Sequence, residues 1–169
     1  MAKQKSEVRW KIVVERGRTG ANKETECIRC MGCEAICSFM KERMVNPAVS
    51  RIRVEPKELE WIEGKSNHIV THRICQQCPG TTPCMKACPV EGAIVKESQR
   101  GTVLIVDSKC TRCQECVKAC PFGAVWYDEK GDRMLKCDQC NGKPECVQWC
   151  PVGVLKFKEV KGKEAEHVK

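Results

Sequence analysis

The sequence predicts an α+β fold of short strands, short helices and much loop, laid out as an internal repeat. Three observations carry that prediction. The 169 residues include sixteen Cys but only three Phe, one Tyr and four Trp, so side-chain burial alone gives a thin core and a further constraint must tie the chain together. The cysteines fall into four groups of four, with two spacings that alternate along the chain, the mark of a duplicated unit. The apolar stretches between the groups are short and bounded by Gly, Pro and Asp, which favours brief strands and turns.

Residues 8–14 alternate apolar side chains with charges and are too short for the apolar region of a signal peptide. Group one is Cys27, Cys30, Cys33 and Cys37, spaced C-x2-C-x2-C-x3-C. Cys33, Ile36, Cys37, Met40 and Met44 recur at helical spacing with Pro47 beyond, so a helix is expected there, with Met40 and Met44 in the core. The linker to group two holds two strand-like stretches, 51–54 and 68–71, among Pro47, Pro56 and Gly64. Group two is Cys75, Cys78, Cys84 and Cys88, spaced C-x2-C-x5-C-x3-C, and Pro79, Gly80 and Pro83 make its longer gap a turn. Residues 102–106 are the clearest strand of the chain. Group three, Cys110, Cys113, Cys116 and Cys120, repeats the first spacing. A turn at 128–132 between apolar residues 125–127 and 134–135 reads as a hairpin. Group four, Cys137, Cys140, Cys146 and Cys150, repeats the second spacing, and 158–169 is expected to be a mobile charged tail.

Cysteine at this density means disulfides or metal. No run of about 18 apolar residues occurs, so no membrane span is expected. With no signal-like start, the expected location is the cytoplasm, with export bound to a signal-bearing partner as the other route. A reducing compartment favours metal-ligating thiolates over disulfides. Structural zinc prefers two C-x2-C knuckles per site. The C-x2-C-x2-C triplets of groups one and three point instead to a cubane iron–sulfur cluster, whose corners need three closely spaced thiolates and a fourth from another direction. The x3 gap puts the third and fourth Cys of each group one helical turn apart, and Pro89, Pro121 and Pro151 end three of those turns. In two-cluster ferredoxins the fourth Cys serves the other cluster.

The formal charge of +8 counts sixteen neutral thiols. Ligation deprotonates them, and four oxidised cluster cores would bring the holoprotein to near zero. Nucleic acid is therefore not an expected partner. No phosphate loop, nucleophile–base pair or flavin motif occurs, and a four-Cys cubane has no open iron, so the chain is expected not to be catalytic alone.

Cys110-Thr-Arg-Cys113-Gln-Glu-Cys116-Val-Lys-Ala-Cys120-Pro121, and Cys84-Met-Lys-Ala-Cys88-Pro89 before it, resemble bacterial 2[4Fe-4S] ferredoxins. The chain from about Val8 to Phe157 resembles the four-cluster iron–sulfur subunits of molybdenum and tungsten pterin oxidoreductases, in particular the short soluble kind serving tungsten aldehyde oxidoreductases. The resemblance implies two pseudo-symmetric ferredoxin-like units: an outer one of 1–74 with 126–157 and an inner one of 75–125. It implies four [4Fe-4S] clusters. Cluster A takes Cys27, Cys30, Cys33 and Cys150, and cluster B takes Cys37, Cys137, Cys140 and Cys146. Cluster C takes Cys75, Cys78, Cys84 and Cys120, and cluster D takes Cys88, Cys110, Cys113 and Cys116. Ser38 after Cys37 departs from the Cys-Pro pattern, because the helix continues there. The implied partner is a tungsten or molybdenum pterin subunit, with a soluble ferredoxin or further redox subunit on the other side. A free-standing polyferredoxin is the alternative.

Other residues read more plainly. His68 and His72 are expected as surface groups or neighbours of a cluster, since four Cys serve each site. Phe122 and Trp149 are expected to shield clusters by packing. Trp10, Ile52, Trp61 and Ile62 are candidates for an exposed docking surface.

Overall fold

In a computed structural model of the chain, residues 8–15, 17–18, 24–25, 27–56, 60–62, 65–67 and 70–161 are described. The strands form two-stranded antiparallel ribbons among these residues. β1 (Val8–Val14) pairs with β12 (Leu155–Lys161), with Ile12 opposite Phe157 and Val14 opposite Leu155. The period of two buries Ile12 and Leu155 and lays Trp10 against the ring of Phe157, 4.9 Å between centroids. β2 (Gly17–Arg18) pairs with β3 (Glu24–Thr25). β4 (Ile52–Pro56) pairs with β7 (Val70–Ile74), and β5 (Glu60–Ile62) with β6 (Lys65–Asn67). β8 (Ile94–Lys96) pairs with β9 (Val103–Ile105), and β10 (Val125–Asp128) with β11 (Arg133–Lys136).

Four α-helices among the described residues lie in the cysteine groups. α1 (Gly32–Glu42) ends where Arg43 turns left-handed and its N–H returns to the Phe39 carbonyl at 2.8 Å, a helix stop. Ser38, fully buried, donates to the carbonyls of Glu34 and Ala35 and accepts from the Asn46 N–H. That single hydroxyl fastens the turn after the helix. α2 (Pro83–Ala87) starts on Thr82, whose hydroxyl accepts from the Met85 N–H, with Pro83 in the first turn. α3 (Glu115–Ala119) and α4 (Glu145–Gln148) are single turns. α1 packs on α4 and α2 on α3. No helix among the described residues is long and apolar enough to cross a membrane.

Two apolar clusters form the core. The first joins Ile12, Ile52, Val54, Val70, Ile74, Ala124, Val154 and Leu155 to cysteines of groups one, two and four. The second joins Ile94, Val103, Val125 and Met134 to Cys84 and Cys116. The β10–β11 hairpin thus packs on the second cluster, while the next residue after it, Cys137, belongs to the first.

The structure corrects four expectations. Met40 and Met44 are exposed, Met44 by 57%. The inward face of α1 is Cys33, Glu34, Cys37 and Ser38, and Met44 lies past the helix end. Ile52 is buried rather than part of an outer surface. Trp149 is 63% exposed, so it does not shield by interior packing. Residues 158–161 belong to β12, so only 162–169 remain of the expected tail, and these lie outside the described residues. His68 and the side chains of Trp61 and Ile62 also lie outside the described residues.

Candidate metal centres

The four cysteine loops share one backbone device. Two residues after the first Cys of each group, the chain turns left-handed: Arg29 at φ 57°, Gln77 at 47°, Arg112 at 57° and Gln139 at 59°. Non-glycine residues pay for this conformation with strain of order 1–3 kcal/mol each. The turn brings backbone N–H groups round toward sulfur. The N–H of Gln77 reaches the Cys75 thiol and that of Gln139 the Cys137 thiol, both at 3.4 Å. Arg51 N–H reaches the Cys37 sulfur at 3.2 Å and Ala124 N–H the Cys120 sulfur at 3.4 Å.

Four cavities result, each ringed by four thiols. Cys27, Cys30, Cys33 and Cys150 line one, with Ile28, Val54 and His72. Cys37, Cys137, Cys140 and Cys146 line the second, with Ile12, Ile52 and Ile74. Cys75, Cys78, Cys84 and Cys120 line the third, with Val103, Phe122 and Lys136. Cys88, Cys110, Cys113 and Cys116 line the fourth, with Ile94, Ile105 and Met134. The empty space in each, with the solvent at its mouth, is about 310–320 Å³. All sixteen cysteines are free thiols. Among the described residues, no three His, Cys, Asp or Glu side chains converge on a single-ion point; the sulfurs stand round volumes instead. Soft thiol donors around an apolar space fit an iron–sulfur cluster.

Each short helix stands between two cavities. On α1, Cys33 faces the first and Cys37, one turn on, the second. Cys146 in α4 and Cys150 just past its end repeat this in the opposite sense. Cys84 and Cys88, then Cys116 and Cys120, do the same for the third and fourth cavities. The x3 gap is thus the local reason why two cavities lie side by side. The first and fourth cavities each carry one exposed thiol, Cys30 and Cys113, and the second and third carry none.

Burial dominates the acid–base chemistry. It raises the thiol of Cys33 to about 12, helped by the Glu34 charge, and that of Cys116 to about 11, helped by Cys110 and Cys84. It pushes Cys137 and Cys146 up as well. A metal must therefore displace protons to enter. Lys136 is buried beside these thiols. Burial pulls its ammonium down, and its interaction with Cys75, which includes a hydrogen bond, together with that of Cys137 more than offsets it.

Sequence reasoning did not single out Gln77, Gln139 or Lys136. Gln77 and Gln139 are buried and occupy the same place in groups two and four. The Gln139 side chain accepts from the Thr102 hydroxyl at 2.8 Å and donates to the Trp10 carbonyl. The shared C-x-Q-C pattern was the available signal. His72, expected beside a cluster or at the surface, lines the first cavity, and Phe122 lines the third.

A 4Fe-4S dicluster domain matches residues 66–160, and a 4Fe-4S binding domain matches residues 24–40. The aliphatic sulfonate oxidoreductase, polyferredoxin-like subunit, of Pyrococcus furiosus is 38% identical over 96 residues, 57% of this chain and 50% of that one. The putative electron transport protein YsaA of Escherichia coli K12 is 35% identical over 123 residues, covering 68% and 70%. The thiosulfate reductase electron transfer subunit PhsB of Salmonella typhi is 30% identical over 116 residues, covering 68% and 58%. The chain spans half the length of the first of these relatives and 58% of the third.

Proposed function

The chain belongs to the 4Fe-4S dicluster domain family, and on that premise we propose that it is the electron-transfer subunit of an oxidoreductase and carries four [4Fe-4S] clusters. The observation that supports this most is the set of four cavities, each ringed by four thiols, three from one loop and one from another. Cluster A is assigned to Cys27, Cys30, Cys33 and Cys150, and cluster B to Cys37, Cys137, Cys140 and Cys146. Cluster C is assigned to Cys75, Cys78, Cys84 and Cys120, and cluster D to Cys88, Cys110, Cys113 and Cys116. When bound, each cluster takes up and gives back one electron.

The protein does the rest. The single turns at Cys33–Cys37 and Cys84–Cys88 hold A beside B and C beside D. Gln77, whose amide reaches the Cys137 carbonyl at 3.1 Å, holds B beside C. The order is then A, B, C, D, in two ferredoxin-like units of 1–74 with 126–157 and 75–125. Ile52, Ile74 and Ile12 keep water from B, and Val103, Val125 and Phe122 keep it from C. The N–H groups of Arg51, Gln77, Ala124 and Gln139 give their hydrogen bonds to ligand sulfurs and so raise potentials.

The partner is a catalytic subunit holding a tungsten or molybdenum pterin, with a soluble ferredoxin or further redox subunit at the other end. The names of the relatives as reductase and oxidoreductase subunits support this. Exposed Ile28, Met31 and Trp149, at the rim of the first cavity and beside Cys150, favour a docked subunit over a free polyferredoxin, because a catalytic subunit covering them would exclude water from cluster A. The cytoplasm keeps such thiols reduced until clusters are inserted.

Anaerobic purification with co-purifying chains, followed by metal and sulfide analysis, tests the proposal. About sixteen irons and sixteen sulfides per chain are required, with molybdenum or tungsten in a larger second subunit. The same iron without the second metal would point to the free polyferredoxin. Zinc with little sulfide would refute the cluster reading.

A further inference from the structure

Lys136 lines the third cavity, and Gln77 joins Val103 of that lining to Cys137 of the second. Lys136 ends β11 and is 8% exposed, the one lysine buried among the described residues. Its side chain lines the third cavity, while the next residue, Cys137, lines the second. The ammonium donates to the Val103 carbonyl and, at 3.3 Å, to the Cys137 carbonyl. Gln77 grips the same two residues: it accepts from the Val103 N–H at 2.8 Å and donates to the Cys137 carbonyl at 3.1 Å. The partners of the ammonium are thus these two carbonyl oxygens and the sulfur of Cys75, which lines the third cavity. This cation is held in the low-dielectric interior at the place where the two halves of the cysteine array meet.

We propose that Lys136 is a positioning residue for electron flow: its buried charge raises the reduction potentials of the two clusters flanking this junction relative to the two end clusters, and so sets the driving force between the halves. The inference rests on the four-cluster reading above. Adding an electron to a cluster adds negative charge, and a fixed cation stabilises that state by an amount that falls with distance and rises as the dielectric falls. Lys136 lines the third cavity, and its ammonium donates to the carbonyl of Cys137, which lines the second. The first and fourth are lined by neither Lys136 nor its partners, and each carries a solvent-exposed thiol, where water and salt screen charge. Surface lysines act on the ends through screening solvent. Lys136 acts on the centre with little screening.

The test is a redox titration of the full chain with its co-purified partner, followed by electron paramagnetic resonance at each potential. Signals are assigned from Cys30→Ser, Cys140→Ser, Cys78→Ser and Cys113→Ser, one for each cavity. Lys136→Met should move the two central potentials downward, leave the two end potentials where they were, and retain the full iron and sulfide content. Lys136→Arg should restore the central potentials toward wild type. Unchanged central potentials in Lys136→Met, or an equal shift of all four, would overturn the inference. Should Lys136→Met fail to load iron, Lys136→Gln, which keeps an amide donor for the two carbonyls, carries the same comparison. Failure of both neutral variants to load would assign Lys136 a purely structural role and also overturn it. A wild-type chain with far fewer irons than four cubanes need would instead defeat the cluster reading, before any variant is compared.

Discussion

Glu42, the last residue of α1, pairs with Arg133 of the β10–β11 hairpin at 2.8 Å. The same carboxylate holds Arg51 at 2.7 Å, and Arg133 also reaches Asp128 at 3.1 Å. This chain of charges ties the helix that serves the first two cavities to the hairpin packed on the other core cluster. Burial raises the Glu42 carboxyl, and the hydrogen bonds and charges of Arg133 and Arg51 more than offset it, leaving it below its ordinary 4.5.

Glu42→Gln should destabilise the loaded protein by about 1–3 kcal/mol, as expected for loss of charged hydrogen bonds at a largely buried site. A carboxyl lowered in the fold stabilises above its unfolded value, and that contribution disappears as pH falls through the folded value. The gap between wild type and Glu42→Gln should therefore be full above pH 4.5 and shrink below it. Urea midpoints across that range measure it; a gap that grows on acidification would contradict the ion-pair account.

Gln77→Leu should destabilise by roughly 2–4 kcal/mol, because it strands the buried N–H of Val103 and takes one of two donors from the Cys137 carbonyl. Iron loss to a chelator should quicken, starting from the second and third cavities, whose linings Gln77 joins. Equal loss rates in variant and wild type would show that the amide does not hold the junction.

Cys116→Ser should remove or convert the cluster of the fourth cavity and slow transfer within the chain, leaving the resonance signal of the first cavity untouched. A perturbation of the clusters assigned to groups one and four would show the ligand pairing to be wrong.

Cluster insertion into the cluster-free chain should speed up as pH rises above neutrality and should release protons into a weakly buffered solution. Cys33 at about 12 and Cys116 at about 11 are protonated before metal enters. The cluster-free fold itself should weaken as pH climbs from the ordinary thiol value of 9.0 toward those values, since raised thiols stabilise only while protonated. Stopped-flow absorbance and a pH indicator follow the two signals; pH-independent insertion would count against buried neutral thiols.

The cysteine array was legible because its information is local: x2 gaps make a tight loop and an x3 gap makes one helical turn. The β10–β11 hairpin and the strand at Val103 were legible for the same reason. What escaped depends on distant partners. β12 is rich in lysine and becomes a strand only through β1, far away in sequence. The stripe ending in Met40 and Met44 has helical period, but α1 stops at Glu42, and its inner face is narrowed to the side that meets the cavities. Lys136 reads as a surface residue by type. Its burial follows from Cys137 beside it and from Val103 across the fold.

The thiol rings also impose a timetable on biosynthesis. The third and fourth rings have all their sulfurs once residue 120 has left the ribosome. The second waits for Cys146 and the first for Cys150, although three thiols of the first, Cys27, Cys30 and Cys33, emerge before any others. The earliest-made cysteines are thus the ones kept waiting longest for a complete site, and for that interval they are the part of the nascent chain most open to oxidation or to capture of the wrong metal.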